Sequence, residues 1–268
     1  MIFASDLDRT LIYSKKFIKE GNRQDVMEAE VKDGKVISYI SSKTFQMLGK
    51  ISRKVQFVPV TTRTMEQYKR IGILREIPHK YAIVANGGTI IEGGKEDEQW
   101  KSIVEKRLEG ECLSLSEAMD RFKRISSPVW VEKTRTADDL FFYSIVDTQM
   151  VPMDELSDFE KEMDAGGWRM VHHSRKLYFI PKCVSKGDAL LHISNKIDGL
   201  RDVISSGDSV LDIEMAGVSK YFISPLHAEI YKTMGDIAKD LNIAFTNQSG
   251  IESSEEILQF VENRISQK

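Results

Sequence analysis

Short apolar runs alternate with helical segments in the first and last thirds of the chain, and this alternation restricts the fold more than any other feature of the sequence. Residues 2–5 and 55–60 are continuous apolar or small runs, and YAIVANGG (81–88) begins as one. Such runs are typical of strands covered on both faces. Strands that alternate with helices predict a parallel sheet. We therefore predict an α/β fold with a Rossmann-like, doubly wound parallel sheet as its core.

The middle third of the chain has a different pattern. A helical segment at 113–125 is followed by two strand-like runs, and a second helix at 153–165 is followed by two more. This repeated helix–strand–strand order predicts a small antiparallel sheet backed by two helices. We therefore predict an inserted α+β domain at 87–181, between core segments 1–86 and 182–268. The mixed charges at 95–111 predict a solvated face.

Shorter signals mark further elements of the core. The Asp33-Gly34 pair between two alternating runs predicts a β-hairpin over 26–40. Ser41 or Ser42 is placed to cap a helix that continues to about residue 54. Near the end of the chain, we predict a helix over 228–241, a strand over 243–247 and an amphipathic helix over 254–265.

Small polar and acidic residues follow the predicted core strands. Because the carboxyl ends of parallel strands meet at one edge of a sheet, we expect these side chains to lie together. Converging carboxylates repel each other unless a cation lies between them or one keeps its proton. Mg²⁺ held by carboxylates and waters suits such a site, and Lys186 adds a positive charge. The residues concerned are Asp6, Asp8, Thr61, Thr62, Arg63, Asn86, Gly87, Asp208 and Asp212.

This set of groups suits the chemistry of phosphate esters. A carboxylate can attack phosphorus and form an acyl-phosphate, which divides a difficult hydrolysis into two steps. A second carboxyl group can protonate the leaving alcohol and later accept a proton from water. A hydroxyl and an ammonium group can hold the non-bridging oxygens, while Mg²⁺ neutralises charge.

Four short motifs occur in order at strand ends or a helix start. They are DLDRT (6–10), PVTTR (59–63), SKGDAL (185–190) and GDSVLD (207–212). Together they resemble the four motifs of haloacid dehalogenase superfamily phosphatases, and the resemblance covers both core segments. The insertion lies between the second and third motifs, where this superfamily has its type-two cap. Its repeated pattern resembles the smaller cap of Cof-type and sucrose-phosphate-phosphatase-like members.

The resemblance implies a role for each motif residue. Asp6 would be the nucleophile, and Asp8 the general acid and base. Thr61 and Lys186 would complete the catalytic set as the hydroxyl of the second motif and the lysine of the third. The implied Mg²⁺ ligands are Asp6, Asp8 through its backbone carbonyl, Asp208 and Asp212, the last either directly or through the waters of the metal.

The residues that bind the rest of the substrate are less constrained by the sequence. Arg9 and Thr62 stand where the motifs more often have glycine or a similar small residue, and they change the space or charge near a substrate. Asn86 and Gly87 either contact the substrate or only form a turn, and Arg175 either faces the substrate or is an ordinary surface charge. The expected substrate-binding residues are Thr62, Arg63, Asn86, Gly87 and Arg175.

The sequence therefore indicates a Mg²⁺-dependent phosphomonoesterase that forms an aspartyl-phosphate. The resemblance favours a small phosphorylated metabolite, such as a sugar or polyol phosphate, as the substrate. A phosphotransferase that uses the same intermediate is one alternative. The other is a non-enzymatic phospho-acceptor or ligand-sensing module, although such a module has no need of a proton donor such as Asp8. No G-x-x-x-x-G-K-[ST] motif occurs, which argues against a nucleotide kinase.

Composition adds limits on location and partners. The chain has 41% hydrophobic and 29% charged residues, as ordinary soluble proteins do. Its formal net charge of −3 gives no general attraction to nucleic acid or to an anionic membrane. The two cysteines are far apart in the sequence and do not have the spacing of zinc ligands. With neither signal-peptide features nor a long apolar run, we expect a cytoplasmic protein, and we leave its oligomeric state open.

Overall fold

The computed structural model describes residues 1–18, 25–197, 202–233, 241 and 243–267. Contacts divide the chain into two compact units, Met1–Glu96 with Lys186–Lys268, and Asp97–Ser185. The sequence prediction gives residues 87–96 to the insertion, whereas in the structure they lie in the first unit, because they extend its sheet. Residues 182–185, predicted for the core, lie in the second unit, and the first unit resumes at Lys186, where a helix begins. Among the helices that the structure describes, none has the length and apolar character needed to cross a membrane.

The strands are numbered along the chain. They are β1 Ile2–Asp6, β2 Val26–Lys32, β3 Lys35–Ser41, β4 Gln56–Val60, β5 Tyr81–Val84, β6 Thr89–Glu92, β7 Lys95–Glu96, β8 Val131–Ala137, β9 Phe141–Val146, β10 Trp168–His173, β11 Lys176–Pro181, β12 Val203–Ser206, β13 Tyr221–Ser224 and β14 Ile243–Phe245. The helices are α1 Ser42–Ile51, α2 Met65–Lys69, α3 Glu98–Glu111, α4 Leu115–Ile125, α5 Met153–Ala165, α6 Lys186–Lys196, α7 Ile213–Gly217, α8 Glu229–Thr233 and α9 Ser253–Ser266.

The first unit is built on an eight-stranded sheet with the order β14-β13-β12-β1-β4-β5-β6-β7. The pairs from β14 to β5 are parallel, while β6 and β7 add an antiparallel edge. Every residue of β1 is buried, which explains why this strand begins with three apolar residues. The predicted α/β fold with a largely parallel sheet is confirmed.

The predicted hairpin is formed by β2 and β3, which pair in an antiparallel ladder. Asp33 and Gly34 form its turn, and both have positive φ angles, of 52° and 73°. The register of the ladder shifts on both sides of Glu30, which also forms an isolated bridge with Ile71. Such a bulge bends a strand and changes where its side chains point.

The second unit contains a four-stranded antiparallel sheet with the order β10-β11-β9-β8. Its core is aromatic: the Phe179 ring lies 4.7 Å from that of Phe122 and stacks on that of Phe142 at 4.5 Å. The predicted helices at 113–125 and 153–165 correspond to α4 and α5, and the strands that follow each of them are also present. The repeated helix–strand–strand order is therefore confirmed.

One segment for which no helix is predicted contains one, and one predicted helix is described only in part. The segment at 95–111, predicted only as a solvated face, contains α3, a helix whose N-terminus is capped by Asp97. Most of its residues are indeed exposed or half-buried, and within the helix only Trp100 and Val104 are buried. Two buried positions give too weak an apolar periodicity to predict a helix from the sequence. The predicted helix at 228–241 begins as α8, but most of its second half lies outside the described residues.

Candidate active site

Asp6 is the last residue of β1, a strand flanked by β12 and β4. It is 5% exposed, and its carboxylate accepts a hydrogen bond from the Lys186 ammonium at 2.8 Å. The Thr10 hydroxyl, four residues further along the chain, lies 3.5 Å from its second oxygen. Lys186 also donates to Asp212 at 2.5 Å. One buried ammonium therefore joins the end of β1 to the loop after β12.

Hydrogen bonds fix the orientation of the Asp212 carboxylate. Its Oδ2 accepts from the backbone N–H groups of Asp208 and Ser209 at 3.1 and 2.9 Å, and from the Ser209 hydroxyl at 2.9 Å. Gly207 allows this arrangement, because a Cβ there would lie 2.3 Å from the Cβ of Asp212. The loop thus holds Asp208 and Asp212 in one compact turn.

Asp6, Asp208 and Asp212 form a buried acidic cluster in which one carboxylate oxygen from each lies within 4.8 Å of the others. Burial raises the pKa of Asp6 well above its ordinary value, and the charges of Asp212 and Asp208 raise it further, while Lys186 acts in the opposite direction. Burial by itself would lower the pKa of Lys186, but the charges of Asp212 and Asp6 outweigh it, so that this pKa lies above its ordinary value.

The chemistry of this cluster fits a hard divalent cation. All the donors are carboxylate oxygens, the type that Mg²⁺ prefers. The three carboxylates lie close together with Lys186 and Arg9 beside them, so a further positive charge would reduce the repulsion among them. A divalent cation would supply that charge and favour the charged form of Asp6.

Asp8 lies beside the cluster and pairs with Arg63. The guanidinium Nε and NH2 of Arg63 lie 2.6 and 2.7 Å from the two oxygens of Asp8, so the pair is bidentate. The remaining nitrogen of Arg63, NH1, donates to Glu30 at 2.5 Å. The pKa of Arg63 lies above its ordinary value: burial would lower it, but the hydrogen bond to Asp8 and the charges of both carboxylates outweigh that effect.

Two further loops meet at this edge of the sheet. Thr61 is buried, and its hydroxyl accepts from the backbone N–H of Arg63 at 3.1 Å. The loop after β5 is bound to it, because the Asn86 N–H donates to the Thr61 carbonyl at 3.0 Å and the Ala85 N–H to the Arg63 carbonyl at 2.8 Å. Ala85 and Asn86 have φ angles of 49° and 56°. Asparagine tolerates this region, but it is costly for alanine, and such strain tends to occur at functional sites.

Arg9 also points to the acidic cluster. Its guanidinium NH1 lies 3.3 Å from Asp208 Oδ2, and its guanidinium carbon lies 5.3 Å from the centre of the Phe17 ring. The Arg9 backbone has a φ of 62°, a region where glycine and asparagine are favoured. The backbone carbonyl of Arg9 is hydrogen-bonded to the His227 ring Nε2 at 3.0 Å. Arg9 therefore places a cation next to a predicted metal ligand.

The structure gathers most of the predicted site residues in the first unit. Asp6, Lys186, Asp208 and Asp212 form one hydrogen-bonded cluster, and the loops that carry Asp8, Thr61 and Asn86 adjoin one another. Thr62 and Gly87 lie in these same loops. Arg175 belongs to the second unit, at the turn between β10 and β11, where its guanidinium pairs with Glu132. Its part in substrate binding stays a prediction.

Thr10 and Glu30 contact the site but are absent from the sequence prediction. Thr10 has a readable signal, since it lies four residues after Asp6 in the first motif. Glu30 has none, because nothing in the alternation of β2 distinguishes a glutamate that is buried against Arg63 from one that is solvated.

Comparisons with known proteins agree with this geometry. A family model described as sucrose-6F-phosphate phosphohydrolase matches residues 1–224. No curated protein sequence matches the chain significantly.

Solved structures extend the comparison to the whole chain. The sucrose-phosphatase from Synechocystis sp. PCC6803, solved in complex with sucrose and phosphate, is 12% identical over 98% of each chain, with a TM-score of 0.68. The haloacid dehalogenase-like hydrolase protein yhjK from Bacillus subtilis is 16% identical over 97% of this chain and 91% of its own, with a TM-score of 0.56. A trehalose-6-phosphate phosphatase related protein is 15% identical over 100% of this chain and 99% of its own, with a TM-score of 0.52.

At identities this low, the likeness to solved structures shows a common fold, whereas the family match rests on the sequence itself. That match covers the four motifs and all the carboxylates of the acidic cluster. The resemblance inferred from the motifs is therefore confirmed: the chain belongs to the sucrose-6F-phosphate phosphohydrolase family and is a phosphatase of the haloacid dehalogenase superfamily.

Proposed function

We propose that this protein hydrolyses the phosphate monoester of a small sugar or polyol through an aspartyl-phosphate formed on Asp6, and that the reaction requires Mg²⁺. The observation that carries the proposal is the buried Asp6 carboxylate, which contacts Lys186 within a cluster of three acids. Support for a sugar phosphate comes from the matched family and from the Synechocystis sucrose-phosphatase, whose structure contains sucrose and phosphate.

The chain supplies each group that the first step requires. An Asp6 oxygen attacks phosphorus, a P–O bond forms to Asp6, and the ester P–O bond to the substrate breaks. Asp8 gives its proton to the departing alcohol oxygen. Lys186 and the Thr61 hydroxyl hold the non-bridging oxygens of the phosphoryl group, whose negative charge they stabilise.

The second step releases the phosphate. Asp8 takes a proton from a water molecule, whose oxygen attacks the phosphorus of the aspartyl-phosphate. The bond to Asp6 then breaks, so that inorganic phosphate leaves and the Asp6 carboxylate is restored. Both steps are balanced, because the proton that Asp8 gives in the first is replaced in the second.

Mg²⁺ would be held by Asp6, Asp208 and Asp212, with the backbone carbonyl of Asp8 as a further ligand. When bound, it neutralises negative charge between the nucleophile and the phosphate. We assign the selection of the sugar to the second unit, which is the predicted cap. The predicted contact of Arg175 with the substrate is part of this assignment.

The decisive test compares wild type with Asp6→Asn on a panel of sugar, polyol and other metabolite phosphates, in Mg²⁺ and in excess chelator. We expect Mg²⁺-dependent phosphate release with a preference for sugar phosphates, and a loss of at least about a thousandfold in Asp6→Asn because the nucleophile is gone. Asp158→Asn is the matched control, since Asp158 lies on the surface of α5 and pairs only locally, with Lys161 at 2.8 Å.

Several results would contradict the proposal. Activity that survives in Asp6→Asn would rule out the aspartyl-phosphate mechanism. Equal activity in Mg²⁺ and in excess chelator would rule out a requirement for the metal. If the phosphoryl group passes to an added alcohol in preference to water, the protein is a phosphotransferase, and if a stable phosphoprotein forms without turnover, it is a phospho-acceptor.

A further inference from the structure

The side chain of Glu30, on the β2–β3 hairpin, is fully buried and bound by two arginines. Its carboxylate accepts from Arg63 NH1 at 2.5 Å and from Arg70 Nε at 3.1 Å, and its side chain has no exposed surface. A buried carboxylate is costly unless it is paired and hydrogen-bonded, so these contacts offset the cost of burying Glu30.

The backbone of the hairpin accounts for this position. The ladder between β2 and β3 shifts register on both sides of Glu30, which marks a bulge, and Glu30 also bridges to Ile71. On the same strand, Glu28 keeps a regular partner, Tyr39, and is exposed. The bulge thus separates two glutamates of one strand into a solvated residue and a buried one.

Arg63 links Glu30 to Asp8 through its hydrogen bonds. One guanidinium uses NH1 for Glu30 and its other two nitrogens for the two oxygens of Asp8. The guanidinium is planar and rigid, so holding one of its edges fixes the direction of the other. The side chain of Arg63 is 15% exposed, whereas that of Asp8 is 47% exposed, so Asp8 has little packing of its own to hold it.

We propose that Glu30 is a positioning residue which, through Arg63, holds the Asp8 carboxyl beside the leaving alcohol, so that one oxygen of Asp8 stays bound to Arg63 while the other leaves it to carry the proton for that alcohol. The proposal rests on the function proposed above and adds to it a residue outside the four motifs. It follows that the hairpin contributes to catalysis without touching the phosphate.

The chemistry of the leaving group distinguishes this role from a general structural one. A sugar or polyol alkoxide is a poor leaving group and requires a proton from Asp8, whereas p-nitrophenolate is stable and leaves without one. Misplacing Asp8 therefore slows hydrolysis of an alkyl phosphate much more than that of p-nitrophenyl phosphate. A loss of folding or of phosphate binding would affect both substrates alike.

The experiment compares Glu30→Gln, which removes the charge and keeps the shape, with Glu28→Gln, the exposed control on the same strand. For the best alkyl phosphate of the panel, we expect kcat to fall about tenfold in Glu30→Gln, within the range that general acid catalysis contributes. For p-nitrophenyl phosphate we expect less than about a twofold change, with KM little changed for either substrate. Glu28→Gln should match wild type on both.

Equal losses on both substrates, or no loss on either, would overturn the proposal. If Glu30→Gln does not fold, Glu30→Asp replaces it, because this variant keeps the charge but shortens the reach to Arg63. It should show the same selective loss on the alkyl phosphate, to a smaller extent.

A double-mutant cycle on stability provides a test that does not depend on activity. Glu30→Gln, Asp8→Asn and the double variant are unfolded in urea, and the unfolding equilibrium constants are compared. Because both carboxylates share Arg63, we expect a coupling of at least about threefold in that constant. Additive effects would show that Glu30 is not linked to Asp8. If wild type hydrolyses no phosphate ester, the proposed function fails, while the cycle still decides on the link.

Discussion

Arg9 is the most unusual single residue at the site, because it brings a positive charge to a carboxylate that is proposed to bind Mg²⁺. Its guanidinium lies 3.3 Å from Asp208, and its backbone is held at a φ of 62°. Mg²⁺ and this guanidinium compete for the same negative charge, so the affinity for Mg²⁺ is set in part by Arg9.

Replacing Arg9 by asparagine should strengthen Mg²⁺ binding. Asparagine tolerates the positive φ, so the change removes the charge with little backbone strain. We expect the dissociation constant for Mg²⁺, measured by titration calorimetry, to fall by roughly three- to tenfold, which corresponds to about 1 kcal/mol of charge repulsion. Lys15→Asn, at an exposed position nearby, should leave it unchanged. Weaker binding in Arg9→Asn would mean that the guanidinium supports the metal site.

His227 predicts a dependence of stability on pH. Its Nδ1 accepts from the Gly250 N–H at 3.1 Å, so Nε2 carries the proton and donates to the Arg9 carbonyl. Burial lowers the pKa of His227 to about 4, and the positive charges of Arg9 and Lys232 contribute. The folded state therefore favours the neutral ring, and its contribution is complete above the unfolded pKa of about 6.5 and is lost as the pH falls toward 4.

We expect His227→Gln to weaken the dependence of the free energy of unfolding on pH in this range. The difference in the free energy of unfolding between pH 7 and pH 4.5 should shrink by roughly 1–3 kcal/mol relative to wild type, as the shift in the histidine pKa implies. Urea unfolding at the two pH values measures it. An unchanged or larger difference would contradict this expectation, because it would mean that carboxylates alone cause the loss of stability in acid.

The elements of the first unit are held at the site by close backbone approaches. The helix α6 begins at Lys186, whose N–H donates to the Glu214 side chain of α7 at 3.0 Å. At the next residue, Gly187, a Cβ would lie 2.5 Å from the backbone carbonyl oxygen of Glu214. Because backbone atoms cannot move aside as a side chain can, only glycine lets α6 start close enough for Lys186 to reach Asp6 and Asp212.

Gly187→Ala is expected to separate α6 from α7. Overpacking at such a contact typically destabilises by about 1–3 kcal/mol, and the displacement of Lys186 should lower phosphate release together with stability. Gly217→Ala is the control, since a Cβ there would meet no atom within 4 Å. Urea unfolding and phosphate release measure the two effects. A Gly187→Ala protein as stable and active as wild type would show that α6 and α7 can separate without consequence.

The hairpin shows how an element gains a role from its neighbours. The alternation in β2 and β3 predicts a hairpin, but the alternation gives no reason for Glu30 to be buried. It is the bulge, the bridge to Ile71 and the two arginines that place this carboxylate inside the protein. A conformational feature of the ladder therefore decides whether the residue is solvated.

At the scale of the whole molecule, tertiary structure joins residues that the sequence keeps apart. Cys112 follows α3, and Cys183 lies between β11 and α6, yet the two thiols lie close enough within the second unit for Cys183 to raise the pKa of Cys112. Both are free thiols. Burial raises the pKa of Cys112 to about 12, and that of Cys183 is also raised, with burial again the main cause.

We expect these thiols to be unreactive in the folded protein. The thiolate is the nucleophile, and at pH 7.5 the raised pKa should slow alkylation of Cys112 by iodoacetamide at least about a hundredfold relative to the urea-unfolded chain. Mass spectrometry of the modified peptides gives the rate for each cysteine. Rapid alkylation of the native protein would indicate that this part of the second unit opens readily.

The fold class and the acidic cluster both follow from the pattern of the amino-acid sequence. Parallel strands have their carboxyl ends at one edge of the sheet. Once the strands are identified in the sequence, Asp6, Asp208 and Asp212 are therefore expected to lie close together, as they do. The four motifs carry enough information to indicate the family, and the match over residues 1–224 agrees with them.

Contacts that do not follow from strand order are settled only when distant segments pack together. The burial of Glu30, the division of Arg63 between two carboxylates, the approach of Arg9 to Asp208 and the proximity of the two thiols are all of this kind. The physical reason is that local pattern reports whether a face is buried, whereas the partner of a buried polar group depends on which distant segment packs there. The assignment of residues 89–96 to the main sheet has the same origin, because antiparallel pairing with β5 is a long-range contact.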